Sequence, residues 1–141
     1  MERDPGCIFC KIVYGEAPAH RVFEDERTLA FMDLFPVAEG HTLVVTREHF
    51  ADLLAAEPEP IAAAARTAWR VARAIERVFA PEGLGVFQLN RAAAGQTVFH
   101  YPVHLIPRRP GEGLKLHGRT PADPERLRAN AEALAKALES V

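Results

Sequence analysis

Two histidines, His100 and His104, stand four residues apart in the run Phe99-His100-Tyr101-Pro102-Val103-His104-Leu105-Ile106-Pro107-Arg108. Its β-branched and aromatic content suits a strand, in which side chains at 100, 102 and 104 share one face. The preceding loop holds Asn90, Gly95, Gln96 and Thr97. Small residues there let backbone N–H groups approach an anion, and amide and hydroxyl side chains donate to phosphate oxygens. A pair of strand histidines is equally common as structure, so the pair alone leaves both roles open. Between them stands Pro102, which has no nucleophile and no titratable group. Proline also lacks the N–H of an interior strand, so position 102 calls for a bulge, a missing ladder bond or local strain.

A second group of reactive side chains comes from the opposite end of the chain. Cys7 and Cys10, the only cysteines, form a C-x-x-C pair. Together with His49 and His100 they supply two thiolates and two imidazoles, the ligand set of a closed tetrahedral zinc site. The spacing also admits a solvated thiol pair beside two ordinary histidines. A thioredoxin-like redox pair expects a βαβ setting, which the pattern around Cys7 lacks.

The elements that must position these groups follow from periodicity and breakers. Residues 20–25 and 28–34 read as strands joined by the turn Asp25-Glu26-Arg27, and 41–47 as a third. Pro58-Glu59-Pro60 starts a helix that Pro81 ends; Ile61, Ala65, Ala68, Ala72, Ile75 and Phe79 form its apolar stripe, opposite Arg66, Arg70, Arg73 and Arg77. Residues 84–90 and 99–108 are strands four and five. Residues 124–140 form a second amphipathic helix on Leu127, Ala131, Leu134 and Leu138, capped near Asp123. An α+β fold with an antiparallel sheet results.

The chain's 141 residues suffice for one domain, 1–141, with its own core. No repeat, linker or low-complexity segment divides it. A net charge of −2 gives no electrostatic reason to expect nucleic acid or an anionic membrane as partner. The start, Met1-Glu2-Arg3-Asp4-Pro5-Gly6, has no apolar leader core, and no run reaches the length of a membrane span. These features point to a cytoplasmic protein, where C-x-x-C means metal or redox chemistry before a structural disulfide.

Taken together these residues resemble the histidine triad (HIT) family of nucleotide-binding proteins, whose signature H-φ-H-φ-H-φ-φ, with φ apolar, follows G-Q-[ST]-V. Here Gly95-Gln96-Thr97-Val98 precedes His100. The segments Cys7-Ile8-Phe9-Cys10-Lys11-Ile12, Phe23-Glu24-Asp25-Glu26, Leu29-Ala30-Phe31-Met32-Asp33 and Gly40-His41-Thr42-Leu43-Val44-Val45 look like the N-terminal half of its bacterial, zinc-carrying members. The resemblance implies about five antiparallel strands with two main helices, and a homodimer in which two sheets join. It implies a structural Zn2+ on Cys7, Cys10, His49 and His100. It further implies a purine nucleotide such as AMP or GMP, with Ile8, Phe9, Ile12, Phe31 and Leu34 around the base and Asp33 on the ribose. Asn90, Gly95, Gln96, Thr97 and Val98 would form the phosphate loop, His104 would touch the α-phosphate, and His41 would lie near the site.

The departure is Pro102, where the family places the histidine that attacks the α-phosphate and carries the nucleotidyl intermediate. Loss of one member of a cooperating catalytic set can reduce turnover by about 10^4 to 10^6-fold while leaving binding groups intact. His100 is a poor substitute if it ligates zinc. The expected function is therefore purine-nucleotide binding on a scaffold for hydrolysis of nucleoside phosphoramidates or dinucleoside polyphosphates, with catalysis strongly reduced or absent. Direct attack by water oriented by His104 is the enzymatic alternative. A protein-interaction module that ignores nucleotides is the third, and it leaves Asp33, Asn90, Gln96 and His104 unexplained as a set.

Overall fold

Five short runs rich in β-branched and aromatic residues pair into one antiparallel sheet. They are β1 (Arg21–Glu24), β2 (Thr28–Met32), β3 (Thr42–Thr46), β4 (Gly83–Phe87) and β5 (Pro102–Arg108), in spatial order β1-β2-β3-β5-β4. The helices are α1 (Ile8–Val13), α2 (Pro58–Phe79) and α3 (Pro124–Leu138), with a 3-10 turn at Ala92–Ala94. The computed structural model describes residues 4–113, 115–118 and 120–141. Met1, Glu2 and Arg3 of the charged N-terminal stretch lie outside the described residues. No described helix is long and apolar enough to cross a membrane.

Alternation along the central strands divides the interior in two. Ala30, Met32, Val44, Val103 and Leu105 face α2 and α3 and form the larger core with Val71, Ile75 and Leu134. Leu29, Phe31, Leu43 and Val45 face the other way and pack under α1 with Phe9, Ile12 and Val13. Cross-strand partners share a face, so the pairings Leu43 with His104 and Val45 with Pro102 put both β5 residues on the α1 side. The functional groups thus gather on the thinly covered face, while two long helices stabilise the opposite one.

The α1 helix has no counterpart in the sequence reading. It is too short to show a 3.6-residue period, and its start is set by Cys7, whose sulfur accepts the Cys10 N–H at 3.2 Å. The α2 stripe also differs: Ala64, Ala68, Val71 and Ile75 are buried, whereas Ala65 is exposed and Ala72 half-buried. Alanine fits either face, and the buried line is instead fixed by bulkier residues and by Thr67, whose hydroxyl meets that of Thr28 at 2.7 Å. The Asp123 cap of α3 is as expected, accepting the Glu125 N–H.

The fifth strand begins at Pro102, not at Phe99, so His100 precedes the hydrogen-bonded ladder. This also explains the proline. The Tyr101 N–H donates to Phe50 O at 2.7 Å, in the segment that continues from β3. Successive amides of an extended chain point to opposite sides, so the nitrogen of residue 102 faces the β4 side. There the pairing ends at Phe87 opposite His104. Of the three arrangements open to a strand proline, the missing ladder bond is the one adopted.

Candidate functional site

The C-x-x-C pair, at the start of α1, reaches the two distant histidines in space. His100 Nδ1 lies 3.4 Å from Cys7 Sγ and 3.4 Å from Cys10 Sγ, and His49 Nδ1 lies 3.3 Å from Cys10 Sγ and 3.3 Å from His100 Nδ1. Tetrahedral ligand atoms around zinc, with bonds of about 2.0 to 2.3 Å, stand about 3.3 to 3.8 Å apart. The four atoms fit that cage. Both cysteines are free thiols and both are buried, as is His100. Burial pushes the Cys7 thiol up to about 11 and holds His100 at about 4. Backbone amides already point at the sulfurs, Cys10 N–H at Cys7 and Asp4 N–H at Cys10.

Hydrogen-bond polarity shows which imidazoles can take a metal. A ligating histidine donates its second ring N–H to an acceptor. His100 does so: its Nε2 lies 2.6 Å from the Thr46 carbonyl, which only accepts, leaving the Nδ1 lone pair toward the thiols. Asp33, His41 and His104 form another group of metal-type donors, but with the opposite polarity. His41 Nδ1 accepts the Val37 N–H at 3.1 Å, so Nε2 carries the proton and offers no lone pair. That proton is donated to His104 Nδ1 at 3.0 Å, with Asp33 Oδ2 alongside at 3.4 Å from His41 Nε2. The relay leaves His104 as the tautomer with Nε2–H, a neutral donor.

Burial holds both rings of that relay at about 4; Arg108 adds to the effect at His41, and His41 adds to it at His104. Burial also raises the Asp33 carboxyl, opposed by the Phe35 N–H that Asp33 Oδ1 accepts at 2.8 Å and by His104 and His117. Asp33 and His104 border a cavity of about 350 Å³. Its apolar walls include Ile8, Phe9, Ile12, Phe31 and Leu34, the residues assigned to the base. Residues 95–98 and Pro102 close its polar end.

Two residues of the expected site do not line this cavity. His41 is fully buried behind His104, and Asn90 turns away to accept the Leu53 N–H at 2.7 Å and pair with Gln88. Gln96 lines the cavity, yet its amide braces the loop: Oε1 accepts the Arg91 N–H at 2.6 Å, and Nε2 donates to Ala51 O and Val98 O. Gly95 holds φ 103, and a Cβ there would meet Leu89 at 3.2 Å, so glycine lets the loop turn at the cavity rim. His117 also lines the cavity, from the segment between β5 and α3. Sequence reasoning missed it because it carries no spacing relation to the other histidines.

A family model of the HIT domain matches residues 14–111. Protein hit of Bacillus subtilis is 41% identical over 138 residues, covering 95% of each chain. A crystal structure described as a Zn-bound histidine triad family protein, from Mycobacterium smegmatis, superposes with a TM-score of 0.84 at 38% identity, over 96% of this chain and 94% of that one. A hypothetical histidine triad nucleotide-binding protein from Sulfolobus tokodaii gives 0.86 at 30% identity, over 95% and 93%. The sheet order, the cavity beside β5 and these matches lead to one conclusion: the chain belongs to the HIT domain family.

Proposed function

We propose that this chain binds purine nucleotides such as AMP or GMP, and that Pro102 leaves it with little or no nucleotidyl transfer. The observation that carries this reading is the composition of one cavity. Apolar side chains of Ile8, Phe9, Ile12, Phe31 and Leu34 suit a base, the Asp33 carboxylate suits ribose hydroxyls, and the 95–98 loop with the His104 N–H suits a phosphate. Pro102 lines the same cavity and supplies nothing that attacks phosphorus. Asn90 and His41 act behind the site in this reading, Asn90 by holding the loop against Leu53 and His41 by orienting His104. The similarity to a histidine triad nucleotide-binding protein supports it.

Cys7, Cys10, His49 and His100 would hold a structural zinc ion, whose contribution is to cross-link α1 to the start of β5. A zinc-bound relative and the cage of donors support this assignment. The homodimer is part of the same proposal; of the two sheet edges, β4 carries the exposed Val86, and Trp69 is exposed on nearby α2. Calorimetric titration with AMP, GMP and adenosine tests the reading. Saturable binding of a nucleotide, tighter than adenosine, is expected. No binding of either nucleotide refutes it and favours the protein-interaction module.

A further inference from the structure

The polar end of the cavity is short of cationic donors. Among the described residues that line it there is no lysine or arginine, and its basic side chains are His104 on β5 and His117. Their rings meet edge to face, with centroids 6.3 Å apart. His117 reaches this place because the next residue is glycine: a Cβ at Gly118 would lie 2.3 Å from Phe35 O and 2.6 Å from Pro36 O. Backbone cannot give way as a flexible side chain does, so only glycine lets residues 117 and 118 lie against the turn after Asp33. Further along, the Ala122 N–H donates to Leu34 O at 3.0 Å. The segment is therefore held against the ribose side of the cavity at both places.

From there His117 reaches across to the phosphate loop, its Nε2–H donating to Gly95 O at 2.7 Å. A ring N–H engaged with the carbonyl of an anion-binding loop stands at the rim of the anion site. The bond is exposed, so releasing it leaves the carbonyl to water at little cost.

We infer that His117 is a second phosphate-binding imidazole of this site, exchanging the Gly95 carbonyl for a phosphate oxygen when a nucleoside 5′-phosphate enters. It makes up, in binding, for the imidazole that position 102 lacks. The inference rests on the nucleotide reading above and adds to it a residue outside the histidine motif.

The test compares AMP with adenosine, which shares the base and ribose but lacks phosphate, on wild type and His117→Ala. Because His117 is exposed, the variant keeps its core, and circular dichroism checks this. His117→Ala should weaken AMP about tenfold and leave adenosine within about twofold, as expected for one lost hydrogen bond to a charged group. In wild-type protein with labelled histidine, AMP should shift the His117 ring 15N signals and adenosine should not. Equal losses for both ligands make His117 a packing residue and overturn the inference, as does unchanged AMP affinity with an unmoved ring signal. Failure of wild type to bind AMP at all is a different result, which removes the nucleotide reading and this inference with it.

Discussion

Replacing Pro102 by histidine separates the chemistry of this position from its structural role. Pro102 lies on the cavity face two residues from His104, so an imidazole there stands about 6.5 Å along the strand from His104, close enough for both to reach one phosphate. Wild type should release almost no AMP from adenosine 5′-phosphoramidate. Pro102→His should raise the rate by on the order of 10^4-fold, the scale lost when one member of a catalytic set is removed. It should also give a covalent nucleotidyl adduct detectable by intact mass. A proline inside a strand ordinarily costs a ladder bond that histidine restores. The structure reverses that expectation, because the nitrogen of residue 102 faces the side where β4 has ended. The variant regains no strand partner and loses the stiffening that proline gives the unfolded chain, about 0.4 to 1 kcal/mol. Its Tm should fall by roughly 1 to 4 °C. Comparable AMP release by the two proteins refutes the claim that position 102 governs turnover and favours direct water attack; a Tm several degrees higher refutes the assignment of the amide direction.

Three other outcomes follow from the same geometry. Elemental analysis after dialysis should find about one zinc per chain, and His49→Ala should lower Tm far more than it weakens AMP; a metal-free protein with two titratable thiols removes the site. Asp33→Ala should weaken AMP by about 1 to 3 kcal/mol, the penalty for leaving buried hydrogen-bond partners unpaired, and an unchanged affinity shows the ribose pocket to be misassigned. Burial lowers His41 and His104 from 6.5 to about 4, so the unfolded chain binds more protons between those values and stability rises with pH across that window. Asp33, raised by burial, works against this at the acid end. Thermal melts from pH 7 to pH 4 should show Tm falling, with a shallower fall in His41→Gln; parallel slopes in the two proteins contradict the buried relay.

Much of the frame was legible in the residues because its signals are local. Strand alternation placed Pro102 and His104 on one face, prolines bounded α2, and Asp123 capped α3. The residue types at Cys7, Cys10, His49 and His100 made a metal site one of two readings, and the fold brings those four side chains together. The motif around Gly95 and His104 suggested phosphate from the resemblance alone, and Pro102 stood out against that motif from one letter.

Tertiary structure decided what depends on direction and on distant contact. Whether the proline costs a hydrogen bond depends on where β4 stops, which no property of residues 99–108 states. The metal competence of His100 and the donor state of His104 depend on a carbonyl at Thr46 and an amide at Val37, each brought in from another part of the chain. Asn90 and Gln96, polar residues in a polar loop, were expected to face phosphate; their amides instead bond backbone groups of Leu53, Arg91 and Ala51, which tie the loop to its neighbours. His117 entered the cavity because Gly118 fits against the Phe35 and Pro36 carbonyls. Sequence records which groups a chain owns; only the packed fold fixes which lone pairs and protons face one another, because that is settled by contacts between residues far apart in the chain.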